Sequence, residues 1–242
     1  MGNNIQALLF DSGRVLNRSF AGNWFIPPDF FSYVDKQKFY TIPKAQRDLA
    51  FKKAGEYISS KNLIKTEEQE FIEFLQYYKV FFKNLPQIDI DDKRIELITR
   101  DLVYNYDKYI FFDDSKMIIP ELSKAYKLAV VSDAWPSLEN VFRKAGLRGY
   151  FQSFVISSVL GVRKPDVLMY STALKELGVK PEEAIFIDDN FNNCDGAKKL
   201  GIQSFLLCRD TKMYWFLKIA IRRHKVIRNL DDLTKFLKND KK

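Results

Sequence analysis

The chain has 242 residues, is 46% hydrophobic and carries a net charge of +8 from 39 basic and 31 acidic side chains. Its apolar content suits one good-sized core, or a core with a small accessory domain, and it has no run of about 18 apolar residues to cross a membrane. The positive charge favours anionic ligands, but it is scattered and densest at Arg222-Arg223-His224-Lys225, so neither nucleic acid nor membrane is expected as a partner.

Met1-Gly2-Asn3-Asn4 lacks the basic and apolar regions of a secretory leader. Cys194 and Cys208 are too few for a metal cluster and do not form a disulfide framework. A reducing cytoplasm is the expected location. The oligomeric state is left open.

In chain order, residues 6–10 read as a buried strand that delivers Asp11 to a sheet edge, followed by the small turn Ser12-Gly13-Arg14. A carboxylate brought there is costly unless something pairs with it. From about Asn17 to Tyr109 no strand is expected. The first part of that stretch is rich in aromatics and proline, and helices are expected over 43–58, 66–82 and 92–104. A helix over 117–126 precedes a strand over 127–131, which ends at Ser132-Asp133. A helix over 137–145 stops at Gly146. Strands over 153–156, 184–187 and 204–207 then alternate with helices over 166–177 and 193–200, closed by Gly178 and Gly201. An aromatic helix over 212–223, an edge strand at Val226-Ile227 and a helix over 231–237 complete the chain. His224 is expected on the surface.

Strands and helices alternating at this spacing predict an α/β fold, a parallel sheet covered on both faces. The aromatic and helical stretch reads as an insertion after the first strand. That gives a core from residues 1–16 and 108–242 and an inserted helical domain over 17–107.

Four segments carry chemistry. Asp11 taken alone reads more readily as a capping carboxylate at a strand-to-turn junction than as a catalytic group. Ser132 can bind phosphate oxygens at a strand end or cap a helix. Lys164, in Gly161-Val162-Arg163-Lys164-Pro165-Asp166, is held by the proline after it and can neutralise charge or simply be solvated. Asp188 and Asp189 end an apolar strand and repel each other. Hard oxygen ligands of this kind suit Mg²⁺. All four lie at or just beyond an apolar strand, where an alternating sheet binds its ligands.

This ordered set resembles the haloacid dehalogenase-like hydrolase superfamily, in the branch that carries a helical cap after the first strand. The resemblance implies a Rossmann-like doubly wound core and, for most such proteins, a phosphatase. It implies Asp11 as nucleophile, with Ser132 and Lys164 on the phosphate. Asp189 becomes a direct Mg²⁺ ligand and Asp188 a supporting one. The ion would also touch Asp11 and the backbone carbonyl of Gly13. Ser12, Gly13 and Asp133 would supply further phosphate contacts. The implied route is an aspartyl-phosphate that water hydrolyses, on a small phosphorylated metabolite.

One position departs from the pattern. Gly13 stands where phosphatases of this family carry a second aspartate, the acid/base for the leaving oxygen. General acid catalysis contributes about 10² to 10⁴ in rate, or roughly 3 to 5.5 kcal/mol of barrier. A good leaving group or a substitute acid such as Asp133 would compensate; otherwise the pocket serves as a weak phosphate-binding site. Dehalogenation is a further alternative. It is disfavoured because family dehalogenases carry a bulky aromatic near there and no Mg²⁺ site, whereas Gly13 is expected to leave the space empty. Arg14 and Asn17 follow the nucleophile and are expected near the substrate. Trp24 and Phe25 are expected as a substrate wall, with Trp135 at the cleft border.

Overall fold

The computed structural model describes residues 5–61, 63–221 and 223–239. The leader reading on Met1 to Asn4, and Arg222 of the basic cluster, lie outside the described residues. The strands are β1 Ala7–Phe10, β2 Asn17–Ser19, β3 Tyr109–Phe111, β4 Lys127–Ser132, β5 Ser153–Ile156, β6 Ala184–Asp188, β7 Gln203–Leu207 and β8 Lys225–Ile227.

Six of them form one sheet in the order β5-β4-β1-β6-β7-β8, with every pairing parallel. β1 lies at the centre, and Phe10 stands opposite Val130 on one side and Ile187 on the other. Side chains alternate between the two faces. Leu8, Phe10, Leu128, Val130 and Ile187 pack under the helices Asp113–Leu122, Ser137–Lys144 and Leu230–Asn239. Leu9, Ala129, Val131 and Phe186 pack under Val167–Leu177 and Phe191–Lys199. Burial on both faces is why these strands read as unbroken apolar runs.

The stretch after β2 is helical: Phe30–Tyr33, Lys36–Thr41, Lys44–Ser59, Glu67–Lys83 and Asp92–Tyr104. It has an apolar cluster of its own, centred on Phe30, Phe74, Tyr77, Tyr78 and Phe81. Thr66 and Asp91 start the last two of these helices by accepting from Gln69 N at 3.3 Å and Arg94 N at 2.7 Å.

A buried polar chain ties this helical block to the sheet. Glu70 on Glu67–Lys83 accepts from Ser137 N at 2.8 Å and Ser137 Oγ at 2.6 Å. Lys108 Nζ donates to Ser137 Oγ and to Leu102 O, both at 2.6 Å. Burial pushes the Glu70 carboxyl up, against Lys108 and Ser137, and pulls the Lys108 ammonium down, against Glu70.

Several expectations are corrected. The stretch from Asn17 to Tyr109 is bounded by strands: β2 pairs antiparallel with β3, Asn17 opposite Phe111. Two three-residue strands at opposite ends of the insertion carry no periodic signal. The helix expected over 117–126 spans Asp113–Leu122 instead, because Asp113 and Asp114 suit the positive N-terminal end, and Tyr126 falls in the following turn, its N–H on Leu122 O. The last aromatic helix ends at Ala220. His224 is not on the surface: its ring nitrogens lie 2.8 Å from Ser204 Oγ and 2.9 Å from Asp195 Oδ1, because the chain there docks against β7 as it enters β8. Among the described residues no helix is long and apolar enough to cross a membrane.

Candidate active site

The loops that leave β1, β4 and β6 meet at the C-terminal edge of the sheet. Asp11 follows β1 directly, its N–H bonded to Ile187 O at 2.9 Å. The chain then turns back on itself: Leu16 N and Asn17 N both donate to Ser12 O, at 2.8 and 3.1 Å, and Arg14 N donates to Asn17 O at 2.6 Å. Arg14 takes φ 60° within this turn, a conformation uncommon outside glycine. Its Nη1 lies 3.1 Å from Asp189 Oδ2.

Lys164 is the electrostatic centre. Its Nζ lies 2.6 Å from Asp11 Oδ1 and 2.7 Å from Asp188 Oδ2, and its backbone N–H donates to Asp133 Oδ1 at 3.0 Å. Burial pulls the ammonium down, but the field of Asp11, Asp188 and Asp133 outweighs it and holds the group above its ordinary range. Asp188 is fully buried and also accepts from Asn190 N at 2.7 Å and Asn193 Nδ2 at 3.0 Å. Burial pushes its carboxyl up to about 7, against Lys164. Burial, with Asp11 beside it, also raises Asp189, against Arg14.

Asp11, Asp188 and Asp189 each present an oxygen within 4.8 Å of the others. Three hard oxygen donors, two of them with raised pKa values, fit a small divalent cation better than they fit each other. Asp133 stands at the cleft mouth. Desolvation raises its carboxyl, against Lys164.

The cleft above this cluster holds about 300 Å³. Of the residues expected there, Asp11, Ser12, Gly13, Arg14, Asn17 and Ser132 line it. Asp133, Lys164, Asp189, Trp24, Phe25 and Trp135 line it as well. Asp188 does not line it and lies beneath, against Lys164. Asn17 is buried and donates from Nδ2 to Ser12 Oγ at 2.7 Å, so its contact orients the serine hydroxyl.

Three placements were not foreseen. The space beside Gly13 is not empty. A Cβ on Gly13 would stand 3.3 Å from Trp24 Cζ2, and the indole is braced edge-to-face by Tyr109 at 5.0 Å. Tyr109 itself lines the cleft and has no sequence signal beyond its place at the end of the insertion. Asn193, which also lines the cleft, was not among the expected site residues; the signal that could have found it is its place five residues after Asp188, one turn into a helix. Gly196 is required on that helix: a Cβ would meet Pro165 Cβ at 2.6 Å, so glycine alone lets Asn193 approach the Lys164-Pro165 loop.

A family model described as haloacid dehalogenase-like hydrolase matches residues 23–201. The chain belongs to this family. It is 29% identical over 152 residues to a glyceraldehyde 3-phosphate phosphatase of Methanopyrus kandleri, a match covering 57% of this chain and 65% of that protein. It is also 29% identical over 112 residues to mouse haloacid dehalogenase-like hydrolase domain-containing protein 3, covering 46% of this chain and 44% of that one. The match thus spans less than two thirds of either curated relative. Among solved structures, a dehalogenase with an intermediate complex superposes with TM-score 0.67 at 18% identity, covering 98% of both chains. The HAD-hydrolase YfnB from Bacillus subtilis superposes with TM-score 0.64 at 15% identity, covering 97% of this chain and 99% of that one. At such identities these two bear on the fold alone, which they share with this hydrolase.

Proposed function

We propose that this hydrolase is a Mg²⁺-dependent phosphatase whose substrates are small phosphates with an acidic, readily expelled leaving group. In this reading residues 17–107 form a cap over the core of 1–16 and 108–242. The free thiols of Cys194 and Cys208 suit a reducing cytoplasm. The observation that carries the reading is the joint placement of Asp11, Lys164, Asp188 and Asp189 beneath one cleft.

Lys164 holds Asp11 Oδ1, which leaves Oδ2 to attack phosphorus. The new Oδ2–P bond forms as the bond from phosphorus to the leaving oxygen breaks, and water then cleaves the aspartyl-phosphate. Ser12 and Ser132 hydroxyls and the Lys164 ammonium bind the transferring oxygens. Asp11, Asp189 and Asp188 would hold Mg²⁺, with the Gly13 carbonyl. The ion would supply positive charge that offsets the repulsion between carboxylate and phosphate.

The leaving group is the distinguishing feature. Trp24 fills the space beside Gly13, so no side chain there donates a proton. Of the carboxyls that line the cleft, Asp11 is the nucleophile and Asp189 a metal ligand, which leaves Asp133. Trp24, Phe25, Tyr109 and Trp135 also line the cleft. Aryl, enol and acyl phosphates, whose leaving oxygens need little protonation, suit such a site better than alkyl phosphates.

The same indole favours a second reading, dehalogenation, since family dehalogenases place an aromatic near this point. The acidic trio argues against it. One panel separates the readings: alkyl, aryl and acyl phosphates with and without Mg²⁺, and a 2-haloacid without metal. Chelator-sensitive phosphate release that is fastest for aryl or acyl phosphates is expected. Metal-independent halide release with no phosphate release would overturn the proposal. Glyceraldehyde 3-phosphate, an alkyl phosphate, belongs in the panel because relatives carry that activity in their names. Slow turnover is expected.

A further inference from the structure

The helix Thr211–Ala220 follows β7 and turns its apolar side outward. Tyr214 is buried beneath it and Leu217 half-buried, and these two anchor it beside β8. At about 100° per residue they place Trp215, Phe216 and Ile219 on the opposite side, where they are 54%, 65% and 78% exposed. Lys212 sits in the middle of that outward side. Lys218 borders it, its Nζ 5.2 Å from the centre of the Trp215 ring. An amphipathic helix on a globular core keeps large apolar side chains inward, and clustered exposure of this kind marks a contact surface.

The surrounding sequence is strongly basic. Residues 209–228 hold seven Lys and Arg and one Asp, a net +6 out of +8 for the chain.

We propose that this helix docks the protein on an anionic lipid surface. Trp215, Phe216 and Ile219 enter the boundary between headgroups and acyl chains, and Lys212 and Lys218 meet the anionic headgroups. Charge selects this occupant. A second copy of the chain would set Lys212 and Lys218 against the same two lysines. A nucleic acid would satisfy the lysines but leave Ile219 and Phe216 without an apolar partner, whereas an anionic bilayer takes both kinds of side chain. The helix lies on the surface, since none among the described residues is long and apolar enough to cross. The expectation of no membrane partner is set aside in this respect alone.

Flotation of the full chain with phosphatidylcholine vesicles containing about 30% phosphatidylserine, against pure phosphatidylcholine, tests the proposal. About tenfold or more protein is expected on the anionic vesicles, with the excess falling as salt is raised. The variant Trp215→Ser/Phe216→Ser/Ile219→Ser should lose about tenfold or more of that binding, and Lys212→Glu/Lys218→Glu a similar factor. All five side chains are exposed, so both variants should keep the wild-type melting temperature. If either fails to fold, wild-type emission decides: a blue shift of Trp215 on adding anionic vesicles supports docking, and an unchanged spectrum opposes it. Equal binding by wild type and both variants, or no binding to anionic vesicles, overturns the proposal. So does a dimer that the triple variant loses, or retention on an RNA oligomer in place of vesicles.

Discussion

In the proposed reaction Gly13 is the decisive residue, and its neighbour explains why it is small. A Cβ there stands 3.3 Å from the Trp24 ring, tight contact that a larger side chain worsens. Gly13→Asp alone therefore should not restore an acid. In a Trp24→Ala background the carboxyl has room, and Gly13→Asp should speed an alkyl phosphate by about tenfold or more relative to Trp24→Ala, with little effect on an aryl phosphate. Steady-state rates on the two substrates check it; equal acceleration of both would show that Gly13 does not control protonation. Asp11→Asn should lower the turnover of every phosphate by about 10⁴ while the protein stays folded, as followed by phosphate release and circular dichroism. The candidate positions Asp11, Ser132 and Asp188-Asp189 were readable because each stands at or just beyond the end of an apolar strand. Trp24 lines the cleft, but its position beside Gly13 was not readable. It sits on a loop, and the ring that braces it, Tyr109, arrives only at the far end of the insertion.

Among elements, β1, β4, β5, β6 and β7 were visible because a parallel sheet buried on both faces needs continuous apolar runs. β2 and β3 were invisible for the opposite reason. Asn17-Arg18-Ser19 is polar, Tyr109-Ile110-Phe111 is three residues long, and what pairs them is the closure of the insertion rather than any local pattern. The same closure buries Lys108 against Ser137 and Glu70. No sequence rule singles out that lysine among the basic residues of this chain, and His224 was misjudged for the same cause. The buried pair makes a specific demand. Glu70→Ala leaves the Lys108 charge without its carboxylate and should destabilise the fold by about 3 to 5 kcal/mol. Replacing both, Glu70→Leu with Lys108→Met, removes the unpaired charge and should recover most of that loss. Urea unfolding of the two singles and the double tests this. Additive losses would mean that Glu70 and Lys108 do not act as a pair.

Across the whole molecule, the buried carboxylates Asp188 and Asp189 cost stability at neutral pH that a bound cation would offset. In the metal-free protein the Asp188 carboxyl stands at about 7, above its ordinary 3.8. Between those values the folded chain keeps a proton that the unfolded chain has released, so its contribution to stability is present at low pH and is lost as pH rises through 7. Asp189 shifts in the same direction. Lys164 is raised, so its stabilising contribution is fully present throughout this window and is lost only in strong alkali. The metal-free protein should therefore melt lower at about pH 7.5 than at about pH 5.5. A cation that binds only the folded, deprotonated cluster reverses the trend, adding about 2.7 kcal/mol at a hundred times its dissociation constant, and more at the higher pH because fewer protons compete. Thermal melts at both pH values, with and without Mg²⁺, give the comparison, and Asp188→Asn should flatten the pH slope and reduce the Mg²⁺ shift together. A melting temperature at pH 7.5 that Mg²⁺ leaves unmoved would mean that the three carboxylates, although gathered by loops remote in sequence, do not share an ion.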